Sequence, residues 1–170
     1  YAHETMISLR NELNMNVQLA IREGMEALYI DQVQSWRPIR LYPAIGRRAP
    51  LYVAACPRIL LAFLHPVEQK RILDQVDFQK FTSNSPNSKE EIITILDKIR
   101  EQHYSYSYGE LFEGTIALAV PVFYPSSNNV IAALSIIGLE YDFEKDVNAY
   151  VPKLQQAAQE ISHKIATNKV

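Results

Sequence analysis

The chain has 170 residues, 48% of them hydrophobic and 21% charged, which is the size and mix of one globular domain with a sizeable core. A net charge of −2 argues against a domain that grips nucleic acid through a basic surface, and the single cysteine excludes an internal disulfide. No apolar stretch reaches the roughly 18 residues of a membrane span, and the start "YAHETMISLR" has neither the layout of a signal peptide nor an initiator Met, so the segment is expected to begin inside a longer, cytoplasmic protein.

"ETMISLRNELN" places Met6, Ile7, Leu9 and Leu13 on a helical stripe. "MNVQLAIREGMEALYIDQVQS" then reads as two strands about a turn at Glu23-Gly24. Val17, Leu19 and Ile21 alternate on the way out, and Ala27, Tyr29 and Asp31 on the return. "PIRLY" is expected to be a short third strand, after a loop in which Trp36 serves as a surface anchor or a subunit contact. "PLYVAACPRILLAFL" follows, with a strand-like start at Leu51–Val53. Three small residues, Ala54, Ala55 and Cys56, then stand where a buried helix begins.

Small side chains at a helix start leave the backbone N–H groups reachable, so the stretch suits either tight packing or a ligand's anionic group. "HPVEQKRILDQV" is expected to be a helix with Val67, Leu73 and Val76 inward. After the polar loop "FTSNSPNS", Ser88 and Glu91 form a capping box for "KEEIITILDKIREQ", with Ile92, Leu96 and Ile99 as its stripe. "HYSYSYGELFEG" is a strand running into a loop. Its Tyr104, Tyr106 and Tyr108 share one face by period two, as core or as a binding wall. "TIALAVPVFY" and "VIAALSIIGL" are the most apolar strands, expected at the centre of the sheet and joined by "PSSNN". From about Asp142 a long final helix carries Val151, Leu154, Ala158, Ile161 and Ile165, with Pro152 in its first turn or kinking it.

The order is a helix, three strands, helices, three strands and a helix. Hairpins dominate it, which points to an α+β fold, with an antiparallel sheet of about six strands flanked by helices. The first and last helices are expected on the same side of that sheet.

Little in the pattern points to catalysis. His3, His65, His103 and His163 are scattered, and Cys56 reads as a small apolar filler rather than a nucleophile. No phosphate-binding loop, dinucleotide fingerprint or paired-histidine zinc motif is present. Asp142, Glu144 and Asp146 lack the glycine and closing glutamate of a calcium loop and read as helix-start charges. Glu110 and Glu113 are either solvated loop charges or ligand contacts. No enzyme, no metal and no cofactor is expected.

"LYIDQVQSWRPIRLYPAIGRRAPLYVAACPRILLAFL" resembles the IclR-type (isocitrate lyase regulator) transcription factors. The shared order is a strand ending in Asp-x-Val-x-Ser, then Pro-x-Arg, Gly-Arg-Arg-x-Pro-Leu and a small-residue helix start. "FTSNSPNSKEEIITILDKIREQHYSYSYGELFEGTIALAVPVFYPSSNNVIAALSIIGL" and "LQQAAQEISHKI" continue the likeness, so that it spans residues 5–166.

The resemblance implies that residues 1–170 are a single GAF-like or profilin-like domain that senses an effector and joins subunits into dimers or tetramers. Contact with DNA would run only through an N-terminal winged helix-turn-helix absent from this sequence, and no membrane partner is implied. In family members that sense small oxo acids, the ligand carboxylate meets backbone N–H groups that align with Ala55 and Cys56. Here Pro57 and Arg58 replace the family's Gly and Lys. Ser107 stands for the family's Asp, Ala117 for its Cys and Ile137 for its second Ser, while Ser135 is retained. Tyr108, Leu41 and Thr115 align near the same wall. These departures imply a more apolar pocket, for an aromatic or medium-chain organic acid. The alternative is a domain that only assembles subunits. A bulky residue at position 55 is expected to block the seat with little loss of fold.

Overall fold

The computed structural model describes residues 1–38 and 45–168. Among the described residues five helices, α1 (Ala2–Leu13), α2 (Ala55–Ala62), α3 (Pro66–Gln75), α4 (Lys89–Gln102) and α5 (Val151–Thr167), surround six strands. The strands are β1 (Asn16–Glu23), β2 (Glu26–Val33), β3 (Arg48–Pro50), β4 (Ser105–Tyr108), β5 (Thr115–Phe123) and β6 (Val130–Leu139). They form one antiparallel sheet in the order β3-β2-β1-β6-β5-β4. The expected α+β architecture is present, with α1 and α5 packed together on one face and α2 on the other. β6 is central as expected, but its central partner is β1, and β5 lies one place out. Hydrophobicity marked the covered strands without telling which of them was in the middle.

The two faces of the sheet differ in kind. Toward α1 and α5, Leu118, Ile136, Val17 and Val33 fall in one cross-strand line of large apolar side chains. Toward α2 the neighbouring line is Ser107, Ala117, Ile137 and Asn16, and the next is Ser105, Ala119, Ser135 and Gln18. This second face is small and polar beneath the start of α2.

Several sequence expectations are corrected at the ends and edges of elements. The β1–β2 turn sits on Gly24 and Met25, with Gly24 at φ +63°. A β-bulge in β2 pairs Leu19 with Asp31 and Ala20 with Tyr29. The extra residue flips the phase, so Ala27 and Tyr29 face α2 while Asp31 turns toward α1 and meets His3 Nδ1 at 2.8 Å. Most of "PIRLY" (39–42) lies outside the described residues. The third strand the structure describes is Arg48–Pro50, and Leu51–Ala54 form a turn rather than a strand.

On α3, Val67 is 71% exposed and Ile72 takes the inward position with Leu73. Ser88 Oγ accepts from the Glu91 N–H, but the Glu91 carboxylate accepts from the Asn87 N–H, one residue beyond the Ser88 N–H that a reciprocal box requires. α5 begins at Val151 with Pro152 in its first turn, where a missing N–H costs nothing. A 3-10 turn at Glu140–Asp142 ends where the helix was expected to begin, and a second at Val147–Tyr150 lies within the stretch expected to be helical.

Candidate effector pocket

α2 is buried along its whole length, Arg58 included. Its stripe-free composition is that of a helix wrapped by sheet, by α4 and by loops. Ala54, at its N-cap, has φ 68° and ψ 168°, a region that is essentially glycine-only and costs a residue bearing Cβ about 1–3 kcal/mol. The surroundings hold it there. Glu110 Oε2 accepts the Ala54 N–H at 2.7 Å. The same carboxylate clasps Arg58, with Nη1 to Oε2 at 2.5 Å and Nη2 to Oε1 at 2.9 Å. Arg58 also donates to the Tyr106 carbonyl at 3.0 Å. Its side chain is 1% exposed and that of Glu110 11%.

Glu110 is therefore neither a solvated loop charge nor free for a ligand. It neutralises a buried arginine and caps the helix that the arginine belongs to. Glu113, by contrast, is exposed.

Beneath this clasp lies a small enclosed cavity. Its floor is the polar side of the sheet (Gln18, Ser107, Thr115, Ala117, Ser135 and Ile137), and its roof is Ala54, Ala55 and Cys56 at the start of α2. Leu111 and Phe112 of the β4–β5 connection, together with Tyr29 and Arg47, close the sides. Seven residues singled out in the sequence (Ala55, Cys56, Ser107, Thr115, Ala117, Ser135 and Ile137) are thus brought together. Leu41 lies outside the described residues.

Tyr108 is not part of the cavity. Period two along β4 sends Ser105 and Ser107 inward and leaves Tyr106 and Tyr108 about two-fifths exposed, while Tyr104, just before the strand, packs partly buried against the core beside α1 and α5, so the tyrosine stripe is not a pocket wall. The Tyr108 hydroxyl donates to Glu140 Oε2 at 2.8 Å. Gln18, Tyr29 and Arg47 were missed in the sequence. Gln18 carried a signal, since a polar residue in the off-phase of an interior strand with helices on both sides must be buried.

The cavity has a volume of about 20 Å³, which is room for about one water molecule. A Leu side chain at position 55 has no space to enter, because Ala55 is fully buried. Ala55→Leu is overpacking, with a cost of about 1–3 kcal/mol, and is not the fold-neutral block expected from the sequence.

Cys56 donates to the Ala133 carbonyl at 3.5 Å. Burial pushes its thiol up to about 12, against the weaker opposing pull of Ser135 and Arg47. Burial likewise raises the Tyr29 phenol, with Cys56 adding to the rise and Arg47 working against it. Neither group is poised for chemistry near neutral pH. Among the described residues no three His, Cys, Asp or Glu side chains gather as metal ligands, and no helix is long and apolar enough to cross a membrane.

The family model for the bacterial transcriptional regulator IclR C-terminal domain matches residues 1–163. The chain is 36% identical over 165 residues to the HTH-type transcriptional regulator KipR of Bacillus subtilis, covering 96% of this chain and 66% of that protein. It is 39% identical over 147 residues to the Escherichia coli regulator KdgR, covering 86% of this chain and 56% of that protein. The chain thus spans between about half and two thirds of the length of these curated relatives.

The solved C-terminal domain of KdgR superposes with a TM-score of 0.85 at 33% identity, over 95% of this chain and 94% of that one. An IclR homolog from Microbacterium hydrocarbonoxydans, complexed with 4-hydroxybenzoate, superposes with a TM-score of 0.88 over 98% of this chain and 67% of that one. At 21% identity that last likeness shows the fold alone.

Proposed function

The chain belongs to the IclR C-terminal family of bacterial transcriptional regulators, and we propose that it is the effector-sensing part of such a regulator, tuned to an organic acid with an apolar or aromatic body. One observation carries this reading. The small and polar residues of the sheet are concentrated beneath the start of α2, with Gln18, Ser107, Thr115 and Ser135 facing one enclosed cavity. Packing alone favours the large apolar side chains of the opposite face. Ala117 and Ile137 lie between the polar groups, which suits a ligand with one polar end better than a compact acid polar on every side.

Binding in this reading requires the cavity to open. The β4–β5 connection supplies Leu111 and the half-exposed Phe112 as movable walls, between Gly109 and Gly114 in left-handed conformations. The small closed volume favours a second reading, in which the domain assembles subunits and holds no ligand.

A thermal-shift screen separates the two, since a ligand of the native state raises Tm by mass action. Benzoate, 4-hydroxybenzoate, hexanoate, pyruvate and glyoxylate form the panel. The effector reading expects benzoates or hexanoate to shift Tm more than pyruvate or glyoxylate does. A larger shift from the oxo acids overturns the apolar-body assignment, and no shift from any acid supports the assembly reading.

By analogy with its relatives, the domain is proposed to work in the cytoplasm as at least a dimer and to act on DNA through a separate helix-turn-helix domain. Light scattering that returned only the 19.5 kDa mass at micromolar protein would count against self-association.

A further inference from the structure

We propose that the anionic end of the effector is held by Arg47, and not by the start of α2. This rests on the effector reading above and assigns the charge-recognising residue within it.

The argument begins with the arginines around the cavity. Arg58, wholly buried, is matched by Glu110. Arg48, next to Arg47 in sequence, points the other way along β3 and is matched by Glu23 and Glu26. Arg47 has no such match. Among the described residues no carboxylate pairs with it, and the residues outside that set at 39–44 carry no acidic side chain. Its Nε is buried and meets no hydrogen-bond acceptor. What it does meet is aromatic. The guanidinium carbon lies 4.7 Å from the centroid of the Tyr29 ring and 5.8 Å from that of Phe112.

A guanidinium in this position has lost part of its water and gained ring faces and the Tyr29 phenol in return. Cation–π contact offsets some of that loss, but a planar fork whose Nε has no acceptor, and which meets no carboxylate among the described residues, is suited to a carboxylate in two-pronged contact.

The competing anion seat already has a carboxylate beside it. A helix start attracts negative charge, but here Glu110 takes the Ala54 N–H and lies on Arg58 in the same turn of backbone. A second carboxylate brought to that point would meet a like charge in a poorly solvated place. Pro57, in the first turn, also removes one N–H from the start of the helix. The chain's own carboxylate thus sits on the Ala54 N–H, one residue before the Ala55 and Cys56 N–H groups that the resemblance assigns to the ligand, and the unmatched positive charge lies across the cavity, on Arg47.

The two aromatic rings beside it give the rest of the ligand its chemistry. A flat apolar body attached to a carboxylate can lie against Tyr29 and Phe112 while its charge meets the guanidinium. With one unmatched cation, the site suits a single negative charge.

Isothermal titration of the intact chain tests the assignment with benzoate and hexanoate against their primary amides, benzamide and hexanamide, on the wild type and on Arg47→Gln and Arg47→Lys. The amide pairs need no variant, so the wild type alone already discriminates. The wild type should bind at least one acid ten times or more tighter than its amide. Arg47→Gln should weaken that acid by tenfold or more and leave its amide within threefold, and Arg47→Lys should fall between, since a lysine keeps the charge and loses the fork.

The Arg47 assignment is overturned, with the effector reading intact, if an acid binds the wild type and either its amide binds equally well or folded Arg47→Gln keeps the acid within threefold. If neither acid nor the oxo acids bind the wild type, the effector reading falls and this assignment falls with it.

Discussion

Replacing Glu110 with alanine is the most informative single perturbation of the fold. The substitution removes a carboxylate that is 11% exposed from an arginine that is 1% exposed. It leaves the Arg58 guanidinium with only the Tyr106 and Tyr52 carbonyls, its Nε already lacking a partner, and it uncaps the Ala54 N–H. Breaking a buried pair from one side costs about 3–5 kcal/mol, because the surviving charge stays out of water. For a chain of this length about 1 kcal/mol moves Tm by roughly 2–4 °C, so the loss should be roughly 6–20 °C.

Urea unfolding followed by circular dichroism measures it. The loss should persist in high salt, which screens exposed pairs far more than buried ones. The double variant Glu110→Leu with Arg58→Met should recover at least half of the loss, since apolar replacement of a whole buried pair is often near neutral. A Glu110→Ala loss under about 1 kcal/mol, or a double variant no better than the single, would show that the clasp is solvated and would refute the buried-pair reasoning.

Three further outcomes follow from the same geometry. Cys56 should resist iodoacetamide at pH 8 in the folded chain and react only on unfolding. Because its folded thiol is raised from 9.0 to about 12, the unfolded state releases the proton first. The stability it contributes is therefore complete below pH 9 and lost as pH rises toward 12, a loss that Cys56→Ala should reduce in pH-dependent urea titrations. Ala54→Gly should stabilise the domain by about 1 kcal/mol, by relieving the positive-φ alanine at the cost of added unfolded-state freedom; destabilisation would mean that the Ala54 methyl packs better than it strains. On α3, Ile72→Ala should cost about 2–5 kcal/mol, whereas Val67→Thr, at a 71% exposed site, should stay within about 0.5 kcal/mol. Equal losses in the two melts would contradict the observed facing of the helix.

Periodicity made the elements legible and the faces less so. The stripes Ile92–Leu96–Ile99 and Val151–Leu154–Ala158–Ile161 are buried as their spacing requires. Strand alternation failed where the sheet departs from regularity. One inserted residue in β2 sends Asp31 to the opposite face from Tyr29, and no composition signal marks a bulge of that kind. Val67 misled for a different reason. At the second position of an N-terminal turn, an apolar residue fits helical spacing whether or not the helix is rotated to bury it, and the neighbour Ile72 won the inward place. The tyrosines in and just before β4 show a third limit. Alternation separates Tyr104, Tyr106 and Tyr108 from Ser105 and Ser107, but it cannot say which set is inside, and on this edge strand the serines are.

The cavity was legible through what surrounds it, because small residues at a helix start and isolated serines in apolar strands are costly unless something needs the space. Its charge was not. Whether Glu110 faces water, a ligand or Arg58 depends on a contact spanning 52 residues of chain, which no local pattern encodes. Pro57, where the resemblance implies a glycine, reads in sequence as weakening the seat by one N–H, and Arg58 stands beside it in place of a lysine. In the structure Arg58 gives a fork that takes both oxygens of a carboxylate, where a lysine ammonium would act as a point charge. That second oxygen contact is what fixes Glu110 over the helix start. Once it is fixed there, the remaining positive charge at the cavity is Arg47, which is why the proposal above seats the acid across the cavity and not at the helix start.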